Sequence, residues 1–129
     1  MATQNAIILY HGTDWESALD ILNFGLSVEN LRRLQSGRVT QLGPGWYLTA
    51  SPDIAWYFAS LAPGSTDGGY TVLEMEIGRT DLQSLLAQGL AIRRQIVNVP
   101  FSGEQYWFSP DVFAFLNERA IFRPYVGEG

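Results

Sequence analysis

The stretch that decides the fold reads AIILYHGT and occupies residues 6–13. An apolar, β-branched run that ends in a polar residue and a glycine predicts a buried strand over Ala6–Tyr10. Thr13 or Asp14 is suited to cap a helix that follows directly, and Gly25 predicts its C-terminal stop. The chain is therefore expected to open with a strand that leads into a helix.

Two further stretches carry clear local signals. The run YTVLEMEI at residues 70–77 alternates, which predicts a strand with Leu73, Met75 and Ile77 buried and its two glutamates solvated. The run SPD at residues 51–53 combines an N-cap residue with proline at the first helical position, which predicts a helix to about Leu61.

The remaining elements follow from weaker patterns. We predict helices at 29–36 and 81–89, loops at 37–45 and 63–69, and strands at 46–49, 95–99 and 119–122; residues 101–117 receive no assignment. Strands and helices mix without a regular βαβ alternation, which indicates the α+β class. With 129 residues and no linker, the chain is predicted to form one domain over 1–129.

Composition excludes several function classes. Eight Lys and Arg against thirteen Asp and Glu give a net charge of −5, which disfavours duplex nucleic acid as the main partner. The absence of cysteine excludes disulfides, thiolate nucleophiles and cysteine-based zinc sites, and we expect no metal. No apolar stretch approaches the roughly 20 residues of a membrane span. We expect a soluble protein, either cytoplasmic or delivered as an effector into a target cytosol.

Three motifs stand out when they are read together. They are YHGT at 10–13, GPGWYLT at 43–49 with SPDIAWY at 51–57 behind it, and NERAIF at 117–122. In order and context they resemble the His-Tyr-Glu class of ADP-ribosyltransferases, which includes the diphtheria-toxin-like and poly(ADP-ribose)-polymerase-like enzymes. The resemblance spans residues 10–122.

This resemblance implies both a fold and an activity. The fold would be a split β-sandwich of two small, mostly antiparallel sheets with flanking helices around an NAD cleft. The activity would be transfer of ADP-ribose from NAD, the donor substrate, to an acceptor with release of nicotinamide. Given the acidic composition, a protein acceptor is expected rather than duplex nucleic acid.

The resemblance also assigns residues to the chemistry. Breaking the nicotinamide–ribose bond develops positive charge on the ribose, and a nearby carboxylate stabilises it; by resemblance Glu118 takes this role. Tyr47 and Tyr57 would hold the pyridinium ring by stacking and cation–π attraction, with Tyr47 counted among the catalytic residues.

The first motif is assigned to NAD binding. Because glycine lets a ligand approach the backbone closely, Gly12 would pair with the nicotinamide carboxamide. His11 would hydrogen-bond the adenosine-side ribose, and Thr13 would steady the loop.

Several alternatives stay open. Glu104 is a rival carboxylate to Glu118, and Leu116 stands where the arginine-modifying branch has Glu or Gln, which disfavours arginine as the acceptor. Residues 101–115, with Gln105 and Trp107, are expected to form an acceptor-facing loop. An NAD glycohydrolase, or a catalytically silent module that binds NAD, ADP-ribose or a partner protein, would fit the same motifs.

Overall fold

The computed structural model describes residues 5–28, 45–61, 69–96 and 103–127. Within these ranges the strands are β1 Ala6–Asp14, β2 Trp46–Thr49, β3 Tyr70–Gly78, β4 Ala91–Ile96, β5 Gly103–Phe108 and β6 Ile121–Pro124. The helices there are α1 Trp15–Phe24, α2 Pro52–Leu61, α3 Arg79–Ala87 and α4 Phe113–Arg119, with a 3-10 turn at Pro110–Val112. The α+β class is confirmed.

The described strands form one six-stranded antiparallel sheet in the order β4-β5-β2-β1-β3-β6. This differs from the two small sheets expected from the sequence, because β2 pairs with β5 on one side and with β1 on the other. The junction between β1 and β2 is narrow, with the single aligned pair Tyr10 and Thr49. By contrast, β1 and β3 are aligned over nine residues.

The sheet separates two unequal layers. One face packs against α1, α3 and α4 and holds the main core, which includes Leu9, Trp46, Met75 and Phe108, each at most 1% exposed. The other face packs against α2. Alternation along β3 confirms the burial of Leu73, Met75 and Ile77.

The glutamates of β3 are less solvated than predicted. Glu74 and Glu76 lie on the α2 face of the sheet, where Arg123 of β6 binds both carboxylates at 2.6 and 3.1 Å. Pairing with the neighbouring strand keeps both residues partly buried.

Helix boundaries agree well with the sequence signals. Helix α1 follows Asp14 and stops at Gly25, whose φ of 79° lies in the left-handed region that favours glycine. Helix α2 begins at Pro52, as predicted. No helix in the described part of the chain is long and apolar enough to cross a membrane.

The second half of the chain brings corrections. Residues 103–108 and 113–119 form β5 and α4, where an acceptor-facing loop was expected. Strand β4 starts at Ala91 instead of Gln95, and β6 starts at Ile121 instead of Arg119. The helix predicted at 29–36, the loop at 37–44 and most of the loop at 63–69 lie outside the described residues.

Candidate functional site

A small pocket lies between α2 and the sheet, where β1, β2 and β5 run side by side. It measures about 250 Å³ with the open space at its mouth included, and its enclosed part has room for about one water molecule. Its lining comes from three strands and one helix: Tyr10, Gly12, Tyr47, Leu48, Thr49, Phe58 and Gln105.

Gly12 allows α2 to lie directly on the sheet. A Cβ atom at this position would come within 2.7 Å of the Ala59 nitrogen and still closer to the Ala55 carbonyl oxygen. Both atoms belong to the helix backbone, which cannot rotate away as a side chain can. The glycine of the first motif therefore has a packing role in addition to the ligand contact that the resemblance implies.

A row of polar side chains crosses the sheet along the pocket floor. Tyr10, Thr49 and Gln105 are aligned partners on β1, β2 and β5, and Arg94 of β4 aligns with Gln105. Arg94 Nε donates to Gln105 Oε1 at 3.1 Å, and the Ser51 backbone N–H donates to Thr49 Oγ1 at 3.1 Å. The pocket thus has a polar edge that neighbouring groups hold in place.

Tyr10 marks the end of the pocket that faces β3. Burial, followed by the nearby Glu74 carboxylate, raises the pKa of its hydroxyl, which reinforces the neutral form of this phenol. Its ring meets Tyr125 edge-on at 5.3 Å.

The aromatic wall of the pocket differs from the predicted pair. Tyr47 lies in the lining and is 4% exposed. Tyr57 is only partly buried and lies outside the lining, with its ring 5.7 Å from that of Phe58. Phe58 is the residue that turns an aromatic ring of α2 into the pocket.

His11 lies on the core side of β1, opposite the pocket. Its ring is 1% exposed and 5.1 Å from Trp46, and Nδ1–H donates to the Tyr47 carbonyl at 2.7 Å. Burial lowers the pKa of the imidazole to about 4, so the ring is neutral at pH 7. Within the described residues, Nε2 is buried without a hydrogen-bond partner.

Thr13 shares this side of β1 with His11. It is 1% exposed, and its hydroxyl donates to the Asp14 carboxylate at 3.2 Å. Because side chains alternate along a strand, Gly12 faces α2 while the residues on either side of it face the core. The first motif is thus divided between the two faces of the sheet.

Glu118 is exposed in the last turn of α4, where an apolar strand was expected to begin. The helix continues through this position because Phe113 and Leu116, three residues apart, both pack into the core. Helix α4 packs on the core side of the sheet through Phe113 and Leu116, whereas the Tyr47 side chain lies on the other side, in the pocket under α2. Glu118 and Tyr47 are therefore not brought together.

The neighbours of Glu118 have structural roles. The Asn117 side chain exchanges two hydrogen bonds with the Leu26 backbone, at 2.8 and 2.9 Å, which ties α4 to the end of α1. Arg119 forms a two-pronged ion pair with Asp81 of α3 at 3.0 and 3.2 Å. The third motif therefore connects three helices on the core side.

Glu104, the rival carboxylate, lies on β5 beside Gln105 with its side chain directed to the opposite face. It accepts a hydrogen bond from the Tyr106 hydroxyl at 3.4 Å and lies 3.9 Å from Arg93 Nε. Neither candidate carboxylate belongs to the pocket lining. In the described ranges, no group of three or more Asp, Glu or His residues is arranged to hold a metal ion.

The structure thus brings together Gly12 and Tyr47 of the predicted site, and adds Thr49, Phe58 and Gln105, which the sequence interpretation did not assign to NAD binding. Thr49 had a usable signal, because it lies two residues after Tyr47 on the same strand face. Gln105 had none until residues 103–108 were known to form a strand next to β2.

No family model matches the chain. No curated protein matches it either.

Proposed function

We propose that the chain binds NAD with the nicotinamide end at this pocket and transfers ADP-ribose to an acceptor. The observation that supports the proposal most is the meeting of Gly12 and Tyr47, which come from two motifs far apart in sequence. A glycine allows a ligand to approach the backbone closely, and an aromatic ring offers a face on which a planar ring can stack.

Binding requires the pocket to widen, because its enclosed part is smaller than a pyridine ring. We propose that the Phe58 side chain, which is carried by α2, rotates to widen the pocket, while Tyr47 stays on the sheet. With Phe58 rotated, the ring would lie between two aromatic groups, and the ribose and phosphates would extend from the pocket mouth.

The reaction is a substitution at the ribose carbon that carries nicotinamide. The carbon–nitrogen bond breaks with its electron pair retained by nicotinamide, and the acceptor nucleophile bonds to the carbon and loses its proton. A carboxylate near the developing charge accelerates this step. We propose Glu118 for this role on the resemblance, with Glu104 as its rival; either side chain would have to approach the NAD site from outside the described pocket.

The proposal includes an ADP-ribosyltransferase-like arrangement of two half-sheets. Its support is the narrow junction at Tyr10 and Thr49, which divides the strands into β4-β5-β2 and β1-β3-β6. The pocket lies at this junction. A protein acceptor is proposed in preference to duplex nucleic acid because the net charge is −5.

A second candidate is a module that binds NAD or ADP-ribose without cleaving it. The composition of the pocket favours it, since none of the seven lining residues carries a carboxylate. An NAD glycohydrolase, with water as the acceptor, is the third possibility within the same chemistry.

One experiment separates the three. The purified chain is incubated with NAD labelled in the adenosine half, with and without a cell lysate. Nicotinamide release with label on a protein supports the transferase, whereas release with free ADP-ribose supports the glycohydrolase. Binding without release of nicotinamide supports the module. If the chain neither binds NAD nor releases nicotinamide, the proposal is refuted.

A further inference from the structure

A hydrogen bond from the charged Arg94 side chain determines the orientation of the Gln105 amide in the pocket. Arg94, on the adjacent strand β4, donates from Nε to Gln105 Oε1 at 3.1 Å. A guanidinium has only donors, so the atom that it contacts must be the amide oxygen. This hydrogen bond determines which end of the amide can contact a ligand in the pocket.

The remaining end is a donor. Gln105 is 2% exposed and lines the pocket. Within the described residues, its side chain forms one hydrogen bond, which it accepts from Arg94. The amide NH₂ is therefore available to a ligand. Thr49, the aligned partner on β2, also lines the pocket, and its hydroxyl accepts from the Ser51 N–H.

We propose that Gln105 is a specificity-determining residue that donates a hydrogen bond to a neutral acceptor of the ligand, and that Arg94 is its positioning residue. The inference rests on the proposed function for the identity of the ring, and the acceptor would then be the carbonyl oxygen of the nicotinamide carboxamide. A ring without that acceptor would leave a buried donor unsatisfied, which is the costly case for a hydrogen-bonding site.

The test compares nicotinamide with 3-methylpyridine, which keeps the ring and its nitrogen but lacks the carbonyl oxygen of the carboxamide. Binding of each to the full chain is measured by calorimetry or by ligand-induced NMR shifts. Wild type should prefer nicotinamide, and Gln105→Met should reduce that preference by about three- to tenfold. Arg94→Met should reduce it in the same direction, and the double variant should lose little more, because the two residues act through one hydrogen bond.

Three further variants isolate the positioning role. Arg94→Lys keeps a cationic donor and should retain part of the preference. Gln105→Glu keeps the size and the bond to Arg94 but removes the donor, so it should reduce the preference at least as much as Gln105→Met while staying folded. Arg93→Met is the matched control, because Arg93 neighbours Arg94 on β4 but contacts Glu104 on the opposite face.

Each outcome bears on the inference. An unchanged preference in Gln105→Met or Gln105→Glu, or no binding of either ring by wild type, would overturn it. Full preference in Arg94→Met with loss in Gln105→Met would overturn the positioning role of Arg94. If the variants lose the preference for nicotinamide as expected but the wild type does not cleave NAD, the inference about Gln105 stands and the transferase proposal fails. If NAD is cleaved but the variants keep the preference, the transferase proposal stands and the inference about Gln105 fails.

Discussion

Burial of the His11 imidazole ties the stability of the protein to pH. Burial lowers its pKa from 6.5 to about 4, so the unfolded chain takes up the proton more readily than the folded one. The contribution to stability is complete above pH 6.5, falls progressively as the pH drops from 6.5 towards 4, and is fully lost below about 4. We expect the free energy of unfolding to drop by about 2 kcal/mol between pH 7 and pH 5 from this group alone.

Urea unfolding at the two pH values measures this change. Other groups also titrate in acid, so the matched comparison is His11→Gln, which is neutral throughout and should lose about 2 kcal/mol less than wild type over the same interval. Equal losses in the two proteins would show that His11 is not held neutral by burial.

The sequence assigned Tyr57 of α2 to the binding of the nicotinamide ring, whereas the structure places its neighbour Phe58 in the pocket lining. Phe58→Leu removes the ring that lines the pocket and should weaken the binding of NAD, whose nicotinamide ring is cationic, by about 1 kcal/mol, the scale of an aromatic contact to a cationic ring. Tyr57→Leu, one residue earlier and outside the lining, should change it by much less. A larger loss in Tyr57→Leu, measured by titration calorimetry, would restore the pair that the sequence predicted.

The two candidate carboxylates are tested by charge removal. Glu118→Gln should leave NAD binding unchanged, because the residue is exposed and outside the pocket lining. If Glu118 nevertheless stabilises the ribosyl cation, nicotinamide release should fall by at least about 100-fold. Glu104→Gln is the matched variant. Wild-type turnover in Glu118→Gln together with lost turnover in Glu104→Gln would transfer the role to Glu104.

At the scale of elements, hydrophobic periodicity was sufficient to predict a strand or helix where one of its faces is buried. The alternation of residues 70–77 predicted β3, and the proline at 52 predicted the start of α2. Residues 103–119 were not predictable in the same way, because aromatic residues occupy both faces of β5 and a proline follows. The start of the last strand was predicted two residues early, at Arg119, because the apolar run Ala120-Ile121-Phe122 conceals the fact that the preceding helix ends only at Arg119.

The close contact between α2 and β1 at Gly12 predicts that a larger residue there destabilises the protein. Gly12→Ala would push a methyl group into the helix backbone at Ala55 and Ala59, and overpacking of this kind costs about 1–3 kcal/mol. Chemical denaturation measures the loss. Gly78→Ala is the control, since the nearest contact of its methyl group would be an ordinary 3.5 Å to Asp81; equal losses in the two variants would argue against close packing at Gly12.

At the scale of the molecule, the sheet determines which motif residues can act together. The sequence grouped His11, Gly12 and Thr13 into one cleft, although a strand that continues through Asp14 must send neighbouring side chains to opposite faces. That division was predictable once the strand length was known. The pairing of β2 with β5, which brings Gln105 beside Thr49, was not, because strand order depends on contacts distant in sequence.

The most direct test of NAD chemistry at the α2 face of the sheet is nicotinamide release from NAD. We expect the purified chain to be stabilised thermally by millimolar NAD through binding linkage and to release nicotinamide over time. A folded Tyr47→Leu variant, which removes the ring on the sheet side of the pocket, should release it at least about tenfold more slowly. Absence of both stabilisation and release in the wild type, or equal release by the variant, would contradict the assignment of the pocket.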